Sequence, residues 1–155
     1  MKHRIRAAAL VVRGERLLLI KSRDRHSGEI FWIPPGGGVE GDESVFDCAR
    51  RETFEEAGIL VEFDRIVYLR QFIEQRFKIH HFEVFILCSS FTGELTTENN
   101  PTVSEPDAYD VLEARFLSRR EMEGETVYPQ VLKDEFWDDP KDGFPAIRHL
   151  GMQYS

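Results

Sequence analysis

Apolar positions along the chain fall into short clusters separated by glycine, proline and acidic residues. Residues 4–12 and 16–21 are β-branched and Leu-rich, and Arg13-Gly14-Glu15 divides them, which predicts a hairpin. Phe31-Trp32-Ile33 is a third short apolar piece, stopped by Pro34 and Pro35 and followed by Gly36-Gly37-Gly38, read as a loop. From 42 to 57 the spacing becomes helical, with acidic residues at the start and Gly58 placed to end the helix. Residues 59–63, 66–72 and 82–87 predict strands, and Phe91-Thr92-Gly93 a turn. The stretch 99–110, with Pro101 and Pro106 among acidic and amide residues, predicts an exposed loop. Residues 111–117 predict the last strand and 119–123 a short helix. Residues 124–155 are expected as a helix over 130–137 and an irregular tail broken by Pro140, Gly143 and Pro145. No repeat or linker interrupts this order, so the pattern reads as one α/β domain over residues 1–155.

The helix does not behave like an ordinary surface helix. With Val45 as reference, Ala49, Thr53, Phe46, Ala57 and Cys48 form an apolar stripe suited to packing on a sheet. Glu52 and Glu56 each fall within about 20° of Val45, inside or beside that stripe, and Glu55 borders it next to Cys48. The three glutamates are related by i, i+3 and i+4, so they crowd one patch. A solvated face is the ordinary explanation of an acidic helix, and here it fails on position. Like charges at this spacing repel, and burying an unpaired carboxylate is costly. Arg51 could offset them but lies on the far side of Glu55 on the wheel. A hard divalent cation with oxygen ligands resolves the conflict better, and Mg²⁺ is the natural choice.

The glycine run before the helix allows close approach of backbone to a ligand or ion. It carries neither the Lys-Ser/Thr of a Walker A loop nor GxGxxG. Taken together, Gly37, Glu43, Arg51, Glu52, Thr53, Glu55, Glu56, Gly58 and Ile59 follow the order G-x5-E-x7-R-E-U-x-E-E-x-G-U, where U is usually aliphatic. This resembles the signature box of the Nudix hydrolases, and Thr53 is the one departure. The Trp32-to-Gly37 entry and the strand order resemble the family too. The resemblance implies an α/β/α sandwich with a mixed β-sheet. It implies hydrolysis of a phosphoanhydride in a nucleoside diphosphate linked to another group, with Mg²⁺ or Mn²⁺ held by Glu52, Glu55 and Glu56 and by the carbonyl of Gly36. Glu43 and Arg51 would support those carboxylates. The general base would be Glu52 or a glutamate from a later loop, with Glu105 the leading choice and Glu98 and Glu113 weaker. A homodimer is a further family expectation.

Composition narrows the partners. Asp plus Glu total 28 against 20 Lys plus Arg, a formal charge of −8, which argues against general nucleic-acid or anionic-membrane binding. It still permits an anionic small molecule if a cation mediates. Cys48 and Cys88, with no CxxC, read as two buried thiols rather than a disulfide framework or zinc site. The short apolar run after residue 6 is under the length of a signal-peptide core, and no stretch approaches a membrane span, so a cytoplasmic protein is expected. His80 and His81 are strand neighbours pointing to opposite faces and cannot act as paired ligands. Phe31 and Trp32 suit either core packing or stacking on a base. (d)NTPs, ADP-ribose or nucleotide sugars, and dinucleoside polyphosphates all remain substrate candidates, with a lean to the nucleoside triphosphate or ADP-ribose type. The alternatives are a catalytically silent Nudix-fold nucleotide sensor and an acidic adaptor whose helix makes only protein contacts.

Overall fold

Nine strands and one α-helix form among the residues that the structure, a computed structural model, describes: 1–101, 109–139, 143–144 and 146–154. The strands are β1 Lys2–Leu10, β2 Val12–Arg13, β3 Arg16–Asp24, β4 Ile30–Ile33, β5 Gly36–Gly38, β6 Leu60–Glu74, β7 Ile79–Thr92, β8 Tyr109–Ser118 and β9 Arg148–Tyr154, and α1 is Val45–Ala57. A mixed five-stranded sheet runs in the order β5-β1-β7-β6-β9. In the second sheet, β3 pairs β2 and β4 on one edge and β8 on the other. The mixed α/β class is therefore as the sequence implied.

The first hairpin differs from expectation. β1 does not pair β3; it runs parallel to β7, Lys2 to Leu10 against Ile79 to Leu87. The turn at Gly14 joins β2 to β3 instead, and Val11 lies at the crossing between sheets. The residues of β1 explain this. Ala7, Ala8, Ala9 and Leu10 are all buried, so both faces of the strand are covered, as in a central strand beside a parallel neighbour. The glycine run is likewise a strand rather than a loop, with Gly36, Gly37 and Gly38 opposite Ala8, Ala7 and Arg6. These glycines are required for what they lack. A Cβ on Gly36 would stand 2.5 Å from the Ala7 carbonyl oxygen, and one on Gly37 would stand 2.3 Å from Glu52 Oε1.

The two segments predicted over 59–72 merge into β6. Register shifts between Glu62 and Phe63, Phe63 and Arg65, and Ile66 and Tyr68 absorb the polar interruption at Asp64-Arg65. At the C-terminal end, residues 119–123 form turns, and 130–137 form two 3-10 turns, Gln130–Lys133 and Glu135–Trp137, rather than α-helices. The tail is not irregular throughout. β9 follows β8 and pairs β6 in parallel, so β8 is not the last strand.

α1 starts with a capping box. The Ser44 hydroxyl accepts from the Asp47 N–H at 3.0 Å, and Asp47 Oδ2 accepts from the Ser44 N–H at 2.9 Å. The helix ends at Gly58, whose φ of 76° suits glycine. Cys48 and Ala49 bury against Ala7, Val84 and Ile86 on one face of the five-stranded sheet. Thr53 is fully buried and donates its hydroxyl to the Ala49 carbonyl at 2.6 Å, so the departure from an aliphatic residue leaves no unpaired polar group. The opposite face buries Ala8, Leu10, Tyr68 and Phe85 with Leu17, Leu19 and Trp32 of the second sheet, and Leu132 and Phe136 of the 3-10 turns cover the same core. The second helical layer of the expected sandwich is thus built from 3-10 turns. Of the two free thiols, Cys48 is buried as expected and Cys88 only partly so. No helix among the described residues is long and apolar enough to cross a membrane.

Candidate active site

α1 lies beside β5, which brings its acidic edge to the glycine strand. The buried Glu56 accepts from the Gly36 N–H through Oε1 at 2.8 Å. Glu52 fills the space that a side chain at Gly37 would take. Arg51 reaches back into the cluster despite its place on the wheel, because its stem is long enough to cross Glu55. Its Nε and Nη2 donate to the two oxygens of Glu43 at 3.1 and 2.6 Å. Its Nη1 donates to Glu52 Oε1 at 2.9 Å and Glu55 Oε2 at 3.4 Å, and Nη2 also reaches the Gly38 carbonyl at 3.2 Å. One guanidinium therefore ties together three box carboxylates and the glycine strand.

The electrostatics follow from burial. Burial pushes the Glu52 carboxyl up to about 7; Arg51 opposes this and the charge of Glu55 adds to it. Burial pushes Glu56 well above the usual carboxylate range, with Glu52 acting the same way and the Gly36 N–H only partly opposing. The hydrogen bonds from Arg51 hold Glu43 below its ordinary range. Burial raises the Cys48 thiol to about 12, so this neighbour of the cluster is an inert packing group.

Among the described residues, no three His, Cys, Asp or Glu groups already converge in a metal-holding arrangement. Glu52 and Glu55 turn oxygens to Arg51, and Glu56 turns one to the Gly36 N–H. The donor chemistry nevertheless fits a hard divalent cation. All three groups offer anionic oxygen, Glu52 and Glu56 are withdrawn from water, and Arg51 bonds only Glu52 and Glu55 of the three.

Gly36 also borders a cleft of about 780 Å³ between the two sheets. Its floor is a charged ladder that sequence reasoning missed. The Glu83 carboxylate accepts from Arg6 Nε at 3.1 Å and from Arg70 Nε and Nη2 at 3.1 and 2.6 Å, and Arg6 Nη2 donates to the Tyr109 hydroxyl at 3.3 Å. Burial pushes Glu83 up, but Arg70 and Arg6 outweigh it and hold the carboxyl below its ordinary range. A signal was available, since Glu83 interrupts the apolar run predicted as a strand over 82–87, and a charge buried there requires a partner.

The remaining candidates separate. His81 is buried against Phe72, with ring centroids 5.5 Å apart, and faces the cleft, while His80 points the other way to Gln71 and His3. Trp32 is a core residue at 2% exposure; Phe31 lines the cleft beside Tyr109 and Tyr128. Glu113 forms an ion pair with Arg115 on β8, and the described walls of the cleft include neither it nor Glu98. Glu105 lies outside the described residues.

A fold of two packed sheets with one helix presenting a carboxylate cluster to a glycine strand defines the class, and the comparisons agree with it. The sequence model of the NUDIX domain matches residues 2–141, and the chain belongs to that family. It is 38% identical over 84 residues to diphosphoinositol polyphosphate phosphohydrolase 3-beta of Bos taurus, covering 53% of this chain and 49% of that protein. The chain thus matches about half the length of this curated relative. The crystal structure of a MutT NUDIX hydrolase from Burkholderia pseudomallei is similar at a TM-score of 0.66 and 26% identity, over 87% of this chain and 98% of that one. The solution structure of the E. coli ORF135 protein shares the fold at a TM-score of 0.70 and 23% identity, over 94% and 96%.

Proposed function

We propose that the protein is a pyrophosphohydrolase that cleaves a phosphoanhydride of a nucleoside diphosphate derivative and depends on Mg²⁺, for which Mn²⁺ can substitute. The observation that carries this reading is the placement of Glu52 and Glu56 against β5, whose Gly36 borders the intersheet cleft, with Glu55 joined to them through Arg51. In this reading those glutamates hold the cation, with the Gly36 carbonyl as a further ligand. A cation there would offset the charge of the diphosphate and lower the pKa of an attacking water. Arg51 orients Glu52 and Glu55 and is itself fixed by Glu43. Glu52 or Glu105 takes the proton from water.

The cleft favours a nucleotide over a polyphosphorylated ring. Its walls present Phe31, Tyr109 and Tyr128 on one side and Phe72 and Phe77 on another, surfaces on which a planar base can stack. Four cationic side chains (Arg6, Arg70, Arg76 and Lys133) face five acidic ones (Asp24, Glu29, Glu74, Glu83 and Glu125). A diphosphoinositol polyphosphate, the group in the name of the Bos taurus relative, would bring many negative charges into a cleft whose described walls carry no cationic surplus.

The test is a panel of (d)NTPs, ADP-ribose, nucleotide sugars, dinucleoside polyphosphates and a diphosphoinositol polyphosphate, each with Mg²⁺, reading release of phosphate and nucleoside monophosphate. Turnover of a nucleotide that stops in EDTA supports the proposal. Turnover of the inositol compound alone would overturn the substrate reading, and nucleotide binding without any turnover would establish the sensor instead.

A further inference from the structure

We propose that Arg6 grips the phosphate that leads from the glutamate cluster into the cleft, with Glu83, Arg70 and Tyr109 as positioning residues that hold it aimed. This rests on the reading of the glutamate cluster as the diphosphate end of the site. Four observations carry it.

The first is place. In the β1–β5 pairing Gly36 stands opposite Ala8, and Arg6 is two residues further along the same face of β1, about 7 Å away along the strand. Gly36 is also the residue whose N–H holds Glu56. Arg6 therefore lines the cleft where the cluster meets it.

The second is the use of its donors. Nε is taken by Glu83 and Nη2 by Tyr109, whereas Nη1 has no hydrogen-bond partner among the described residues. That nitrogen is not among the sealed, unsatisfied atoms of the core, and the side chain keeps 16% exposure. It is a guanidinium with one prong left open to the cleft. Arg70 differs, since its Nε and Nη2 bind Glu83 and its Nη1 donates to Gln153.

The third is charge. The buried Arg70 and the part-buried Arg6 share one carboxylate, so the ladder holds one more positive charge than the carboxylate bonded to it. An interior charge without a full partner is costly unless an anion completes it. Glu52 and Glu56 lie close enough to feel Arg6, yet neither bonds it: their oxygens go to Arg51 and to the Gly36 N–H.

The fourth is rigidity. Arg6 comes from β1, Glu83 from β7 and Arg70 from β6, three neighbouring strands of one sheet, with Arg6 opposite Glu83 and Glu83 opposite Arg70. An arginine fixed at two prongs loses little freedom when the third binds phosphate, and its planar fork cannot be copied by lysine.

The probe is inorganic pyrophosphate, the moiety common to the candidate substrates, titrated calorimetrically with Mg²⁺ present into wild type, Arg6→Gln, Arg6→Lys, Tyr109→Phe and Arg16→Gln. Arg6→Gln should weaken binding at least tenfold. Arg6→Lys, which keeps the charge but not the fork, should also weaken it at least fivefold without lowering the melting temperature in step. Tyr109→Phe should weaken binding two- to fivefold. Arg16→Gln, which removes an exposed cation paired with Glu121, should leave it unchanged. Binding within twofold of wild type for both Arg6 variants overturns the assignment, as does absence of pyrophosphate binding by wild type. The panel separates the two proposals. A hydrolysed nucleotide with binding indifferent to Arg6 keeps the functional reading and sinks the assignment. Arg6-dependent binding without turnover does the reverse.

Discussion

Raising the pH of the metal-free protein from 5 to 8 forces charge onto Glu52, and its burial sets what that costs. The folded protein holds this carboxyl at about 7 rather than the ordinary 4.5. At about 1.4 kcal/mol per pH unit, complete ionisation corresponds to roughly 3 kcal/mol of lost folding stability. The sign is fixed by proton binding. Between the two values the folded chain carries more proton than the unfolded one, so stability falls as pH rises through this window and levels off above it. Groups held below their ordinary range, Glu43 and Glu83 among them, act in the opposite direction, but their effect is complete below pH 5. For a domain of this size, 3 kcal/mol corresponds to a melting temperature lower by about 6–12 °C. A divalent cation binds the ionised carboxylates, so it should return most of this loss at pH 8 and little at pH 5. At a hundredfold excess over its dissociation constant it supplies about 2.7 kcal/mol.

The assay is a melting curve at pH 5, 6, 7 and 8 in EDTA and in Mg²⁺, for wild type and Glu52→Gln. Glutamine keeps an acceptor for Arg51 and cannot ionise, so the difference between the two proteins reports Glu52 together with its effect on the neighbouring Glu56. Wild type should lose stability relative to the variant as pH rises in EDTA, and Mg²⁺ should narrow the gap at pH 8. A difference that stays flat from pH 5 to 8 would refute the burial argument. An equal Mg²⁺ increment at pH 5 and pH 8 would refute the link between those carboxylates and the cation.

Glu56→Gln preserves an acceptor for the Gly36 N–H, so it should fold with a melting temperature near wild type while Mg²⁺-dependent turnover falls at least about 100-fold; a rate within threefold would count against Glu56 as a metal ligand. Gly37→Ala puts a methyl 2.3 Å from Glu52 Oε1, so kcat should drop at least tenfold, and unchanged steady-state kinetics would show that Glu52 need not sit where it does. Phe136→Ala empties a fully buried site beneath the 3-10 turns and should cost about 3–5 kcal/mol in urea unfolding, whereas a loss under 1 kcal/mol would mean that residues 130–137 are not part of the core.

What was legible in the sequence was what a single element determines. α1 is one uninterrupted helix, so its period alone relates Glu52, Glu55 and Glu56 whatever the helix packs on, and Gly58 marks its end; its start, expected at residue 42, falls at Val45, where the Ser44–Asp47 capping box sets it. The glycine run was visible but its conformation was not. Pairing with β1 is a long-range event, and the reason for glycine there, the close approach of Ala7 and Glu52, exists only after folding. β9 escaped for a related reason. Its residues are half-exposed, Gly151 breaks the pattern, and its pairing with β6 shifts register, so no local period announces a strand. Residues 130–137 carried apolar positions compatible with a helix, but only Leu132 and Phe136 bury, and short 3-10 turns are enough to place them.

The same distinction divides the site into two halves, one local in sequence and one assembled by the fold. The carboxylate half is written in contiguous sequence from Gly36 to Gly58, so resemblance in that stretch carries the chemistry and says little about what is cleaved. The cleft half is assembled from residues far apart in the chain: Arg6 and Glu83 are separated by 77 positions, and Arg6 and Tyr109 by 103. A relative matched over about half its length is therefore a guide to the reaction type, while the substrate must be argued from the floor and walls of this chain's own cleft. The formal charge of −8 fits this division. In the function proposed above, the acidity on the helix would serve to recruit a cation, and the Arg6–Glu83–Arg70 ladder in the cleft would supply positive charge opposite a single diphosphate.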